Sequence, residues 1–161
     1  MRWTTILTIA VVIVIAAMLF LIVIPYTPLG QPAWQFKGWW QFGVQVETAV
    51  VNQPVTLKLE ITGGAISVGV LNIEIKKDIP NAYDEIVHTE SKPIALFFGQ
   101  TMTIETTFTP DKPTDTGVRE YYFKIYMNGV PIYDPTTPGQ RYGLKVTGAP
   151  PVSYSGGEFE G

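Results

Sequence analysis

The first 24 residues contain one long run of apolar side chains. From Ile6 to Ile24 the only polar residue is Thr8, and none of these nineteen residues carries a charge. A helix of that length is about 28 Å long, close to the roughly 30 Å hydrocarbon core of a bilayer. The run also lacks the polar stripe that a half-buried soluble helix shows every three or four residues. The pattern therefore predicts a single transmembrane helix over residues 1–24.

A cleaved signal peptide is the second interpretation of this run, and we favour an uncleaved anchor. Signal peptides have an apolar region of about 7–15 residues followed by a small-x-small cleavage site. Residues 25–30 offer no such site. Arg2 precedes the run, whereas the next charged residue is Lys37. The positive-inside rule then predicts a single-pass plasma-membrane protein with a cytoplasmic N-terminus and a C-terminal domain outside.

We expect residues 25–43 to form a juxtamembrane neck rich in proline and tryptophan. Its prolines end the helix because they lack a backbone N–H and clash with the preceding turn. Indole rings favour the headgroup region, so one hypothesis makes Trp34, Trp39 and Trp40 a membrane-interface belt. The competing hypothesis makes the same tryptophans a docking strip for a neighbouring membrane subunit, because exposed Trp is typical of binding hot spots.

From residue 44 to residue 147 the apolar residues recur with a period of two, which is typical of half-buried β-strands. In one such run Val55, Leu57, Leu59 and Ile61 alternate with polar side chains. A similar run begins at Val44, and we expect it to continue to residue 50. Further runs of this kind recur between turn-forming segments along the chain. Seven or eight short strands predict a mainly β fold class, an antiparallel immunoglobulin-like β-sandwich behind one N-terminal transmembrane helix.

Three local features follow from particular residues. Asn128-Gly129 suits a type I′ turn, so residues 125–133 are predicted to form a β-hairpin. Gly69 lies where two apolar runs fall out of phase, and we expect a β-bulge there. Residues 148–161 lack periodicity, and we expect them to be a flexible C-terminal tail.

Composition narrows the possible functions of the chain. Its 161 residues include 14 acidic and 11 basic ones, giving a net charge of −3, and this balance offers no basic surface for nucleic acid. The absence of cysteine excludes disulfides, thiolate metal sites and cysteine nucleophiles. The single histidine, His88, lies on a predicted edge strand and cannot by itself complete a copper or catalytic zinc site. We therefore expect no cofactor and no metal ion.

Motifs for enzymatic chemistry are also missing from the sequence. The serines lack Gly-x-Ser-x-Gly surroundings, the carboxylates lack the alternate spacing of a calcium loop, and no glycine-rich phosphate loop precedes a helix. We therefore expect neither enzymatic activity nor a small-molecule substrate.

Tyrosines on the predicted strand Tyr121–Met127 offer a candidate binding face. The alternation directs Tyr122 and Tyr126 towards solvent, and Tyr133 lies near them on the hairpin partner. Exposed aromatic residues are enriched at protein interfaces. The alternative is that the three tyrosines support the sheet through ordinary cross-strand pairing.

A family resemblance covers about residues 44–147 and rests on the segments Gln53–Thr62, Val70–Lys77, Phe98–Pro110 and Gly117–Asn128. These segments resemble the CARDB-type domains, an immunoglobulin-like family of prokaryotic, often archaeal, cell-surface proteins. It implies an adhesion or assembly module without catalytic residues. The chain departs from the usual family arrangement because a single domain directly follows an N-terminal anchor.

These observations lead to three hypotheses for the function. The first is a non-enzymatic, single-pass membrane protein that presents its domain for protein–protein assembly or structural support. The second is an accessory subunit of a larger integral membrane complex of respiratory or transport type. The third is a pilin-like filament subunit, although Met1-Arg2-Trp3 is shorter than the usual basic leader. The expected partners are the lipid bilayer and other membrane or surface proteins.

Overall fold

The computed structural model describes residues 2–23, 30–114, 117–135 and 141–148, with backbone alone for residues 21 and 22. Helix α1 spans Trp3–Val23. The other regular elements in the described residues are ten strands: β1 (Ala33–Gln41), β2 (Val44–Val46), β3 (Thr48–Val50), β4 (Val55–Thr62), β5 (Ile66–Lys77), β6 (Glu85–Phe97), β7 (Thr101–Phe108), β8 (Tyr121–Met127), β9 (Val130–Tyr133) and β10 (Lys145–Thr147).

Helix α1 is predominantly apolar and is left uncovered by the described part of the protein. None of its Trp3–Phe20 stretch is buried. The Thr8 hydroxyl donates to the Thr4 carbonyl at 2.8 Å, so this polar side chain is satisfied within the helix. The helix is long and apolar enough to span a membrane, a property that it shares with signal sequences.

The strands form two four-stranded antiparallel sheets and one parallel pair. The first sheet has the order β2-β1-β4-β7 and the second has the order β6-β5-β8-β9. Strands β3 and β10 pair in parallel. The prediction of a mainly β chain with antiparallel sheets behind one apolar helix is confirmed. Strand β6, which carries His88, is an edge strand as predicted.

Both sheets contribute side chains to one hydrophobic core. Along β4 every second residue is buried, from Val55 to Ile61, as the period of two requires. Aromatic rings join the two sheets at the centre, where Trp39 on β1 lies 5.9 Å from Phe123 on β8 between ring centroids. Burial of these apolar faces is the main source of stability, because the chain has no disulfide.

The interpretation of residues 25–43 as a neck is wrong for residues 33–41, which form β1. This strand pairs with β4 from Ala33, opposite Thr62, to Trp40, opposite Thr56. The register shifts at Gly38, which has a φ of 115°. The shift exchanges the core-facing and outward-facing positions along the strand. The sequence therefore shows no continuous period of two over this strand. The sheets therefore include residues before the predicted boundary at 44; residues 25–29 lie outside the described part.

Local predictions for the second sheet have mixed outcomes. The hairpin over residues 125–133 is confirmed, with φ values of 50° and 83° at Asn128 and Gly129. The bulge expected near Gly69 is wrong, because the β5–β6 register is regular there and shifts between Ile75 and Lys76 instead. Gly69 is needed for another reason, since a Cβ at this position would lie 2.2 Å from the Asn128 side-chain oxygen.

The predicted opening strand over residues 44–50 is interrupted at Glu47. Its first half, β2, pairs with β1, whereas its second half, β3, pairs with β10. The predicted tail begins at Gly148, and residues 149–161 lie outside the described residues.

The β domain has two ends, which we name after Gly30 and Phe42. At the Gly30 end the carbonyl of Gly30 accepts a hydrogen bond from the buried Ser67 hydroxyl at 3.0 Å, beside the start of β1. Phe42 lies in the turn after β1, about 30 Å further along the strand direction. The Phe42 end also contains the end of β5 and the start of β8.

Candidate functional site

Two of the three predicted belt tryptophans face the core. Trp39 is 2% exposed and donates from Nε1 to the Tyr142 carbonyl at 3.1 Å. Trp34 is half-buried and packs on Tyr133 with 4.3 Å between ring centroids. A membrane-interface belt made of all three tryptophans is therefore wrong, because the inward phase of β1 directs these two rings into the protein.

Trp40 differs from its neighbours because it faces away from the core. The Lys58 ammonium lies 4.1 Å from the centroid of its ring, and its Nε1 donates to the Lys37 carbonyl at 3.1 Å. It lies about 20 Å along β1 from Ala33, towards the Phe42 end. Of the three tryptophans, Trp40 is the one placed to contact another molecule.

The three predicted surface tyrosines do not form a common exposed face. Tyr122 is 3% exposed because the Arg141 guanidinium covers its ring at 3.8 Å. Its hydroxyl donates to Asp84, and burial followed by this hydrogen bond raises the pKa of the hydroxyl. Tyr126 is half-buried on the outer face of the second sheet. Tyr133 faces the core and lies 5.0 Å from Phe123 between ring centroids.

A buried ionic cluster centred on Arg141 occupies the Phe42 end of the second sheet. The Arg141 side chain is 2% exposed and pairs with both Asp78 and Glu120. Arg119 adds a second contact to Asp78 at 3.3 Å, and Lys145 approaches Glu120 at 3.9 Å. Burial lowers the pKa of Arg141, but the two carboxylates outweigh it and raise the pKa overall. Within the described residues the charge of Arg141 is compensated by protein carboxylates, so removing either side of the pairing would leave a buried charge without its partner.

A second buried cation, Lys77, lies close to this cluster. Its side chain is 4% exposed, and its ammonium contacts Glu85 at 2.9 Å and Asp111 at 3.1 Å. Burial lowers the pKa of Lys77, whereas the hydrogen bonds to both carboxylates raise it to a value above normal. These two ion pairs connect the end of β5 to the start of β6 and to the β7–β8 connection.

A cleft of about 400 Å³ opens beside Trp40 on the first sheet. Its wall includes Phe42, whose side chain is 71% exposed, together with Pro54. Lys58 and Glu105 line its polar side, and their charged atoms lie 3.8 Å apart. The half-buried Trp40 and the exposed Phe42 beside an ion pair have the composition of a protein-binding site. The sequence singled out Trp40 but missed Phe42, whose signal is an aromatic residue in a two-residue hairpin turn.

The region around His88 offers little for metal chemistry. Its Nε2 lies 3.5 Å from Glu90 on the same strand. Over residues 2–23, 30–114, 117–135 and 141–148 no group of three or more His, Cys, Asp or Glu side chains is arranged to hold a metal ion.

The sequence interpretation also missed the role of Tyr121, at the start of β8. Its hydroxyl donates to the Lys112 carbonyl at 2.8 Å and accepts from the Lys112 N–H at 3.2 Å. The side chain thereby fastens the long β7–β8 connection to the sheet. A tyrosine that opens a strand after a long connection containing Pro110 and Pro113 is the signal that could have found it.

Comparisons with known proteins identify no family for the chain. No protein-family model and no curated protein matches it. Similar solved structures include the β-glucosidase from Listeria innocua in complex with gluconolactone, with 9% identity and a TM-score of 0.49 over 74% of this chain and 16% of that one. The C-terminal domain of Wzt has 12% identity and a TM-score of 0.46 over 83% and 95% of the two chains.

A third similar structure is Spo0M, a sporulation control protein from Bacillus subtilis. It has 11% identity and a TM-score of 0.47 over 71% of this chain and 48% of that one. At these identities and TM-scores the neighbours assign no function.

Proposed function

We propose that the chain is a non-enzymatic, single-pass membrane protein that presents an immunoglobulin-like domain for protein–protein assembly. The observation that carries the proposal is the contrast between α1, none of whose Trp3–Phe20 stretch is buried, and a β domain that has a complete core of its own. An apolar helix of this length needs an apolar surrounding, which a bilayer supplies. Arg2 before the helix favours a cytoplasmic N-terminus and an outer β domain.

Two features support the immunoglobulin-like assignment. The longer strands divide into β1, β4 and β7 in one sheet and β5, β6, β8 and β9 in the other, around a shared core. The hydrogen bonds between Tyr121 and Lys112 have the form of a tyrosine corner, which fastens the connection before strand F in many such domains. The resemblance to CARDB-type domains adds an adhesion or assembly role to the proposal.

The cleft beside Trp40 is the proposed contact surface for the partner protein. Trp40 and Phe42 offer a large apolar area on a rigid hairpin, so little side-chain entropy is lost on binding. Lys58 and Glu105 at the rim provide both signs of charge for orientation.

The anchor is tested by placing one charge in the middle of α1. Val14→Arg is expected to cost about 2.5–3.5 kcal/mol of insertion and to move the protein out of the membrane fraction. Val14→Leu is the matched control and should fractionate as the unchanged protein does. Membrane retention of the arginine variant in carbonate washes would contradict the anchor.

The contact surface is tested by native mass measurement after gentle detergent extraction. The unchanged protein is expected to carry a partner protein, and Trp40→Ala should lose it. Tyr83→Ala is the control, because this side chain is 97% exposed and lies outside the cleft. A complex that survives Trp40→Ala would contradict the proposed surface. A large assembly of integral subunits would favour the accessory-subunit hypothesis, and an open-ended polymer would favour the filament.

A further inference from the structure

An exposed phenylalanine lies at the tip of the turn between β6 and β7. Phe98 and Gly99 have φ values of 51° and 80°, and the Gln100 N–H donates to the Phe97 carbonyl at 3.1 Å, which together form a type I′ turn. Such turns favour Asn-Gly, because a bulky residue with positive φ is strained. The Phe98 side chain is nevertheless 86% exposed and gains no packing in return. Fold stability therefore gives no reason for phenylalanine at this position.

Phe98 adjoins an apolar patch on the outer face of the second sheet. We call it the Val70 patch; in it three residues of β5 lie opposite three of β6, namely Ile66 with Phe97, Val68 with Ala95 and Val70 with Pro93. The next two outward pairs are polar, Asn72 with Ser91 and Glu74 with Thr89. The outer face thus changes from apolar to polar with distance from the Gly30 end.

In the described part of the chain, the Gly30 end is built from uncharged segments. Four stretches converge there, and none contains Asp, Glu, Lys, Arg or His: residues 30–36, 61–73, 93–104 and 125–133. A water-facing surface of this size normally carries charged side chains. Their absence removes the desolvation cost that charged groups would impose in an apolar environment.

The same end is held close to the end of α1. Gly30 is joined to the turn through Ser67, whose hydroxyl accepts from the Gly64 N–H at 2.9 Å, and through the Gly64 carbonyl, which accepts from the Gly99 N–H at 3.4 Å. Seven residue steps separate Val23 from Gly30. Such a connection spans at most about 25 Å. Phe98 is therefore held near whatever surface α1 enters.

We propose that Phe98 and the Val70 patch contact the headgroup and acyl boundary of the bilayer that holds α1. This inference rests on the proposed anchor. Aromatic and aliphatic side chains favour that boundary, and uncharged backbone turns can approach it without carrying charge into it. A second copy of the chain is the rival occupant, but it would not explain why the apolar residues concentrate at the tethered end.

The test uses the full chain in phosphatidylcholine vesicles and exploits its lack of cysteine. Three single variants, Phe98→Cys, Phe42→Cys and Val14→Cys, each carry one environment-sensitive fluorophore, and nitroxide-labelled lipid serves as the quencher. We expect strong lipid quenching at positions 14 and 98 and at least several-fold weaker quenching at position 42. Phe42 is a matched control, because it also precedes glycine in a positive-φ turn, at the opposite end.

The pattern of quenching separates failure of the inference from failure of the anchor. Quenching at position 14 without quenching at position 98 would overturn the membrane contact and leave the anchor standing. No quenching at either position would overturn the anchor as well. The fluorescence at position 98 could instead depend on protein density and be unaffected by the lipid quencher. That result would identify a second copy as the occupant and overturn the inference.

A second variant shows whether Phe98 itself makes the contact. With the fluorophore on Ala95→Cys, in the Val70 patch, the additional change Phe98→Asn keeps a turn sequence that suits type I′ geometry. Lipid quenching of the patch should fall several-fold. Undiminished quenching would mean that tethering alone holds the domain on the membrane and would overturn the role of Phe98.

Discussion

The Gly30 end and the Phe42 end of the β domain differ in how many charged side chains they carry. The Gly30 end is uncharged and exposes the Val70 patch and Phe98. The Phe42 end contains the ionic clusters of Arg141 and Lys77. Strands of one continuous core connect the two ends, so the difference does not come from separate domains. A small β domain can thus have two ends of different charge that share one core.

The largest expected effect comes from opening the ionic cluster. Arg141→Met leaves the buried Asp78 and Glu120 carboxylates without their shared cation, which costs about 3–5 kcal/mol. Urea denaturation of the purified chain measures the free energy of unfolding. Arg119→Met is the control; its side chain is 46% exposed, so the loss is expected to be below about 1 kcal/mol. Equal losses in both variants would show that burial does not distinguish the two arginines.

An intermediate effect is expected from Glu90, which lies between the two ends. The Glu90 carboxylate bonds Lys92 on its own strand and Thr106 across on β7, and these bonds lower its pKa from 4.5 to about 2. A lowered folded-state pKa stabilises the fold above pH 4.5, and this contribution disappears as the pH falls towards 2.

The size of this contribution is about 1 kcal/mol, because solvent screens the partly exposed group. Glu90→Gln should flatten the pH dependence of the melting temperature between pH 4.5 and pH 2. Glu105→Gln on the exposed face of β7 removes an equal charge and is the matched control with which the slope of the Glu90 variant is compared. If the slope persists in the Glu90 variant, the pH dependence comes from other carboxylates.

The smallest effect sharpens the comparison most, because the same change is made at each end. Phe42→Asn and Phe98→Asn each place asparagine at a positive φ and should stabilise the detergent-solubilised protein by about 0.5–1 kcal/mol. Calorimetry of the two variants should measure similar gains in the free energy of unfolding. A loss of stability at either position would mean that the phenylalanine packs against the fold after all.

Residues that follow local patterns were predictable from the sequence, and those that depend on distant partners were not. The alternation along β4 and the Asn128-Gly129 turn are both set by neighbouring residues, so these elements could be predicted. Strand β1 escaped because the shift at Gly38 reverses its phase. Tyr122 was expected at the surface because nothing in its own strand shows that Arg141, 19 positions later, covers it.

The candidate site was harder to predict than the fold for the same reason. Trp34, Trp39 and Trp40 are similar in the sequence, and only the inward phase of β1 separates the two core residues from Trp40. The Arg141 cluster joins Asp78 to a residue 63 positions away, a pairing that no local pattern encodes. The four uncharged stretches of the Gly30 end are also present in the sequence, but they were not singled out there, because only the pairing of the strands brings them to one end.

The parallel pairing of β3 with β10 determines how the domain would respond to a pulling force. The chain enters the domain at Gly30 and reaches Thr147 beside Val50, near the opposite end, so a pull between the two points runs along the strands. Strand β10 has three paired residues, whereas β1 has seven pairs with β4. Under tension between these two points, β10 is expected to separate from β3 before β1 separates from β4, so the molecule would lengthen while both four-stranded sheets stay paired.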